Sequence, residues 1–520
     1  MSKIISGQQA AELIKDGDTV ALSGFAGVSC FPEEVCIGIE NRFLETGHPQ
    51  DLTLMYGSGT GDSGASNKGM DHFAYPEMVK CILAGHVGLA KRMSSLIREN
   101  KIAAYNIPQG VVTHLFRAIG GGRIGALTHV GLGTFADPRL EGCKMNELAK
   151  EDIVEFLEID GKEQLLYKSR PIQVGIIRGT TADEIGNLTI EKESVVTETL
   201  QVAQAAKNSG GIVIAQVERL AQRGSLNPKS VIVPGIMIDY IVVASKENHR
   251  MSALTEYNPA YAGEIRIPQT AIEKMDMSLR KVIAKRCAQE LTKGSIINLG
   301  FGVPDGVAAV ALEEGINDDL NMIIESGAIG GVPAGGLNIG ASTNADAFLP
   351  QPAIFDYFDG GGLDLTFLGL AQADRFGNIN VSKFSGRAVG SGGFVNITQN
   401  AKKVIFCGTF TAGKSQIEIT NNGLNIIEDG NMVKFVNDVE QVTFSGKYAV
   451  KTNQPVLYIT ERAVFELTEN GLMLTEIAPG VDLQKHILDK MEFAPIISES
   501  LKLMDLAVFT DKLMGLKETI

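Results

Sequence analysis

Thr181-Ala-Asp183-Glu-Ile-Gly186-Asn187-Leu188 returns later in the chain as Gln372-Ala-Asp374-Arg-Phe-Gly377-Asn378-Ile379, with Asp, Gly and Asn in the same register. The Asp-x-x-Gly-Asn pattern suits a tight turn between strands, because Gly and Asn tolerate positive φ. Its recurrence indicates that the chain is internally duplicated, and the flanking sequence agrees. Ser6 is placed to cap a helix over Gln8–Ile14, and Gly17 follows a short polar stretch. The strand-like run Thr19-Val-Ala-Leu22 then ends in Ser23-Gly24-Phe25-Ala26-Gly27. In the second half Ser278 precedes a helical segment in which Val282, Ile283, Cys287 and Leu291 share one face at roughly 3.6-residue spacing. Gly294 ends it, Ser295–Leu299 reads as a strand, and Gly300-Phe301-Gly302 follows. Each half continues with a predicted helix and a second buried strand that meets a Gly-rich turn. These strands are Leu52-Thr-Leu-Met-Tyr56-Gly57-Ser58-Gly59 and Leu320-Asn-Met-Ile-Ile-Glu325-Ser326-Gly327.

Apolar strands alternating with helical segments predict an α/β protein of two tandem, internally similar open domains with largely parallel sheets. The first domain is expected over residues 1–240 and the second over 278–520. Between them, residues 241–277 form a linker without strong periodicity that includes Asn258-Pro259 and Pro268. Ligands of open α/β sheets bind at the carboxyl ends of strands, so a duplicated pair is expected to share a cleft between its halves.

Composition narrows the function. A chain of 520 residues with 44% hydrophobic and 21% charged residues has the balance of a globular protein of two or more domains. A net charge of −14 argues against a broad nucleic-acid surface, which needs clustered Lys and Arg. No stretch approaches the ~18 uninterrupted apolar residues of a membrane span. The opening Met1-Ser-Lys-Ile-Ile-Ser6 lacks the apolar core of a signal peptide, so a cytoplasmic protein is expected. Six scattered cysteines without a Cys-x-x-Cys pair read as buried free thiols. Seven dispersed histidines predict no metal site. Glycine, at 58 residues, is well above the average of ~7% and points to tight turns and backbone close to ligands.

Glu325 is the point at which the halves differ. Its counterpart is Gly57, so one copy carries a carboxylate where the other has no side chain. A carboxylate at the end of an apolar strand, entering Ser326-Gly327-Ala328-Ile329-Gly330-Gly331, is positioned for attack on a bulky ligand. The plainer reading is a carboxylate that caps the turn or pairs with a base.

The run Glu325-Ser-Gly-Ala-Ile-Gly-Gly331 resembles the active-site segment of family I coenzyme A-transferases, especially the single-chain acetate/propionate type. Further likeness runs through Asn106-Ile-Pro-Gln109-Gly110, Gly131-Leu-Gly-Thr-Phe-Ala-Asp-Pro-Arg139, Gly390-Ser-Gly-Gly393-Phe394, Ile459-Thr-Glu-Arg-Ala-Val-Phe465 and Glu476-Ile-Ala-Pro-Gly-Val-Asp482. It covers nearly the whole chain and is nearest to bacterial acetyl-CoA:acetoacetyl-CoA transferases. The resemblance implies a ping-pong transfer of coenzyme A between short-chain acids of the acetate, propionate, butyrate and acetoacetate class. Glu325 is then the nucleophile, coenzyme A a substrate, and no prosthetic group is required. It also implies a homotetramer. Gly392 and Gly393 resemble the family's oxyanion or CoA-contacting loop, whose local pattern otherwise reads as a hairpin turn. Gly300, Phe301 and Gly302 resemble its CoA-binding turn, although their spacing fails as a dinucleotide fingerprint. Gln109 is either a hydrogen-bond donor to the acyl group or an ordinary polar loop residue. Gly24, Phe25, Ala26 and Gly27 occupy the matching place in the first half and are candidates for the acyl-pocket floor.

Two other functions compete: an acyl-CoA hydrolase using the same nucleophile, and a non-catalytic ligand sensor on the same scaffold. Gly408-Thr-Phe-Thr-Ala-Gly413-Lys414-Ser415 matches the P-loop pattern, but the alternating Gln-Ile-Glu-Ile-Thr420 after it predicts a strand, and Asn421-Asn422-Gly423 a hairpin. A phosphate cradle needs a helix there.

Overall fold

The computed structural model describes residues 3–268 and 274–520. Residues 269–273, inside the expected linker, lie outside the described residues. Two large sheets dominate. The first has eight strands, all parallel, in the order Ile4–Ile5, Tyr240–Val243, Ile212–Val217, Val174–Arg178, Thr19–Leu22, Leu52–Tyr56, Val79–Ala84 and Ala103–Asn106. The second has ten strands around a parallel centre ordered Val456–Ile459, Lys403–Cys407, Leu365–Gly369, Ile296–Leu299 and Asn321–Ile323. These five follow the same spatial order as the five strands from Tyr240–Val243 to Leu52–Tyr56, so the duplication is one of topology as well as sequence.

The expected starts of the two halves form for the expected reason. Ser6 caps the helix Gly7–Glu12 in a reciprocal capping box with Gln9, and Ser278 accepts the Lys281 N–H ahead of the helix Leu279–Ala288. The repeated Asp turns are identical in their bonding. Asp183 Oδ1 accepts the N–H groups of Ile185 and Asn187 at 3.1 and 2.9 Å, and Asp374 Oδ1 those of Phe376 and Asn378 at 2.9 and 3.0 Å. Along each central strand, side chains alternate between two buried layers. Leu54 packs into one core and Met55 into the other, and Phe367 and Leu368 divide in the same way. That is why these strands read as continuous apolar runs.

The halves diverge directly after the Gly57 and Glu325 positions. In the first, the chain continues into further parallel strands. In the second it folds straight back, and the short strand Ala328–Ile329 pairs antiparallel with Asn321–Ile323. Around the cleft the halves meet main chain to main chain: a Cβ on Gly27 would run into the carbonyl of Leu337. Elsewhere the Gln109 N–H donates to Gly392 O at 2.9 Å, and the Gly110 N–H to Asn396 Oδ1 at 3.0 Å. The P-loop-like segment leads into Gln416–Thr420, which pairs with Gly423–Glu428 as a hairpin, so no helix presents its N-terminus there. Among the described residues no helix is long and apolar enough to cross a membrane.

Candidate active site

Glu325 occupies the corner of a tight turn. The Ile324 N–H donates to Ala328 O at 2.9 Å and the Gly327 N–H to Ile324 O at 3.0 Å. Gly327 has φ +111°, and a Cβ there would strike Leu349 O, so this corner requires glycine. Ser326 Oγ pins the turn from below by donating to Gly340 O at 2.6 Å. With Ser326 turned inward, Glu325 projects into a cavity of about 290 Å³ between the halves.

The Glu325 carboxylate makes no hydrogen bond or ion pair with any described residue. No Lys or Arg lines the cavity, and Glu325 is its one acidic lining side chain among the described residues. Burial without a compensating charge raises its pKa to about 7. The carboxylate therefore retains much of the basicity that water would otherwise damp, and about half of it is ionised at neutral pH.

The opposite side of the carboxylate is closed by Gly393, the N-cap of the helix Phe394–Asn400; a Cβ there would collide with Glu325 Oε2. Gly393 has an ordinary φ of −78°, so space alone requires glycine. The Gly392 N–H is occupied, donating to Gly85 O at 2.8 Å. Of the two loop amides expected to serve an oxyanion, only that of Gly393 lacks a partner among the described residues. Gln109 begins the helix Gln109–Gly120, and its buried Nε2 has no hydrogen-bond partner.

The structure thus brings Glu325, Gln109, Phe25, Ala26, Gly300, Phe301, Gly392 and Gly393 to one cavity. Gly24, Gly27 and Gly302 are not in its lining. Gly24 packs under Phe31, Gly27 is used at the contact with Leu337, and Gly302 donates its N–H to Asp305. Phe301 is 57% exposed at the cavity's edge. Sequence reasoning did not find His86, Ser58, Leu89 or Ile339, which also line it. Burial lowers the His86 pKa to about 4, so the imidazole is neutral at pH 7. A lone histidine after an apolar strand carries no signal of this, and nothing in the Gly57-Ser58-Gly59 pattern marks the serine as facing a ligand.

Residues 5–244 match the family model described as coenzyme A transferase. The chain is 49% identical to caffeate CoA-transferase of Acetobacterium woodii, with 99% of each chain covered. It is 41% identical to acetate CoA-transferase YdiF of Escherichia coli K12, covering 98% of this chain and 96% of that one. The crystal structure of the acyl-CoA transferase YdiF apoenzyme from Escherichia coli O157:H7 superposes with a TM-score of 0.94 at 40% identity, over 99% of this chain and 97% of that one. The same enzyme has been crystallised as a thioester complex with CoA.

Proposed function

Because the chain belongs to the coenzyme A transferase family, we propose that it moves coenzyme A between short carboxylic acids through covalent adducts on Glu325. The observation that carries this reading is the single desolvated carboxylate facing the cavity between the halves, backed by Gly393. One Glu325 oxygen attacks the carbonyl of an acyl-CoA, giving an acyl-glutamyl anhydride and releasing coenzyme A thiolate. The thiolate then attacks the glutamyl carbonyl, forming a glutamyl-CoA thioester and freeing the donor acid. An acceptor carboxylate repeats the two steps in reverse. Both intermediates are activated acyl groups, so the thioester's energy is conserved.

Each attack places negative charge on a carbonyl oxygen. The Gly393 N–H and the Gln109 side-chain amide are the donors available to receive it, and one such donor typically contributes ~2.7–4 kcal/mol. The cavity volume suits an acyl group with the end of the pantetheine arm, and exposed Phe301 flanks the way out for the rest of coenzyme A. The preferred acids are of the acetate to acetoacetate class. A second reading, an aryl-acid acceptor, is favoured by the 49% identity to a relative named for caffeate. Rates with acetate and caffeate as competing acceptors separate them. The units we propose are 1–240 and 278–520, with the first unit's sheet completed by the strand Tyr240–Val243 that runs into the linker, and the enzyme is expected in the cytoplasm as a homotetramer, which sedimentation measures.

The test of the chemistry is incubation with acetyl-CoA followed by intact mass and peptide mapping. Coenzyme A is expected on Glu325 and absent from Glu325→Gln. Parallel double-reciprocal lines are expected in steady state. A label on another residue, or intersecting lines, overturns the covalent route.

A further inference from the structure

Gly57 leaves the first half without a carboxylate at the position of Glu325, but a different element brings one to the same region. The helix Thr199–Asn208 of the first half is the topological counterpart of Phe394–Asn400, and its N-cap is Glu198 where the other has Gly393. A Cβ on Gly57 would lie 3.4 Å from Glu198 Oε1 and 3.7 Å from Gln109 Cγ. Each half therefore places one carboxylate between a strand end and a helix N-cap, but from opposite sides: from the strand at Glu325, from the cap at Glu198. Cross-half contacts repeat the relation. The Gln109 N–H donates to Gly392 O at 2.9 Å beside Gly393, and the Gln351 N–H donates to Val196 O at 3.0 Å near Glu198.

The two carboxylates differ in access. Glu325 faces the cavity, whereas Glu198 is fully buried. Neither Glu198 oxygen has a well-formed hydrogen bond; its own N–H and that of Gly57 only lean toward it. It lies behind Gly57. Gly57 leads into Ser58 and Gly59, which line the cavity with Gln109, and Ser58 Oγ accepts the Ala26 N–H at 3.0 Å.

We propose that Glu198 is a positioning residue: packed behind Gly57, its carboxyl braces the Gly57–Gly59 turn and Gln109, part of the wall of the cleft that holds the nucleophile. This rests on the reading of Glu325 given above. A neutral carboxyl fills the space behind Gly57 without needing a counter-ion. The ionised form would be a buried charge without a cation, and must move toward water or draw polar groups to itself, taking the wall with it. Burial raises its pKa to about 8, so this change falls just above neutrality. The groups that converge with it on Gly57 are uncharged: the Gly57 peptide from the strand, and Gln109 and Thr113 from the Gln109–Gly120 helix. The Cys30 thiol, raised above its usual range by its own burial, is the ionisable group that feels it.

The test is the rate of coenzyme A adduct formation on Glu325, read by rapid quench and intact mass at pH 7 and pH 9, in wild type and Glu198→Gln. Glutamine reproduces the shape and donor of the protonated acid but cannot ionise. With Glu325 ionising near 7 and Glu198 near 8, the wild-type rate falls about fivefold from pH 7 to pH 9, while that of Glu198→Gln rises about twofold. A residue that only supported the fold would leave both profiles alike. Similar profiles in the two proteins overturn the inference, as does a wild-type rate that does not fall, which decides the matter even if Glu198→Gln misfolds. An adduct on Glu325 with matching profiles sinks this inference alone; an adduct mapped elsewhere sinks the Glu325 reading and this inference together.

Discussion

Replacing Gly393 with alanine isolates the placement of the nucleophile from its chemistry. The added methyl collides with Glu325 Oε2 and approaches Phe355 Cε1 to 3.2 Å, so the carboxylate must yield. Restoring normal contact moves it by about 1 Å, and misplacement on that scale typically costs ~100-fold in rate, or about 2.7 kcal/mol of barrier. The fold should bear the change. Gly393 has an ordinary φ, and exchanging glycine for alanine at an N-cap costs up to about 1 kcal/mol. Single-turnover formation of the coenzyme A adduct should therefore slow by two orders of magnitude, with a much smaller change in the KM for acyl-CoA. Thermal unfolding should shift by only a few degrees. If Gly393→Ala formed the adduct within twofold of the wild-type rate while remaining folded, the carboxylate seen against Gly393 would not be the reacting one.

Other outcomes are equally specific. The reactive form of Glu325 is the carboxylate, so the adduct rate should drop about tenfold per pH unit well below its pKa of about 7; an acid limb centred near 4.5 would show that burial does not govern it. Lys414→Ala, an exposed change in the P-loop-like segment, should alter the transferase rate by less than about twofold, and equilibrium dialysis should detect no ATP binding in either protein. His72 tests the electrostatics of the first half. Burial alone would lower its pKa, but hydrogen bonds to Glu33 and Glu40 outweigh that and raise it to about 9. The resulting stabilisation, about 3 kcal/mol, is fully present below pH ~6.5 and is lost as pH rises through 9. Chemical denaturation across that range should reveal the loss in wild type and not in His72→Gln.

The parts of this molecule legible in the sequence are those governed by local rules. Ser6 and Ser278 cap helices because a side-chain oxygen three residues ahead of an orphan N–H is a local arrangement. The twin Asp turns close over four residues, and the strands buried on both faces announce themselves by unbroken apolar runs. The place of Glu325 at a strand end was readable in the same way. Residues that belong to the cavity only through long-range packing were not. Gly24 matches Gly300 in the repeat and Gly27 lies three residues on, yet one lies under Phe31 and the other is spent on Leu337, since the pattern of a turn does not say which of its members face a ligand. Glu198 carries no such local mark, because its relation to Gly57 is made by a helix cap arriving from a distant segment. No periodicity in the sequence marks that meeting.

The approach of Gly27 to the Leu337 carbonyl has a consequence for how such an enzyme changes its substrate range. Peptide groups do not shrink or swell by substitution, so this contact acts as a fixed gauge that holds the two halves at one separation whatever side chains surround it. Selection on the acyl group must then work inside a constant frame, by exchanging bulk at Phe25, Leu89 or Ile339. The distance across which Glu325 reaches its partner stays calibrated throughout.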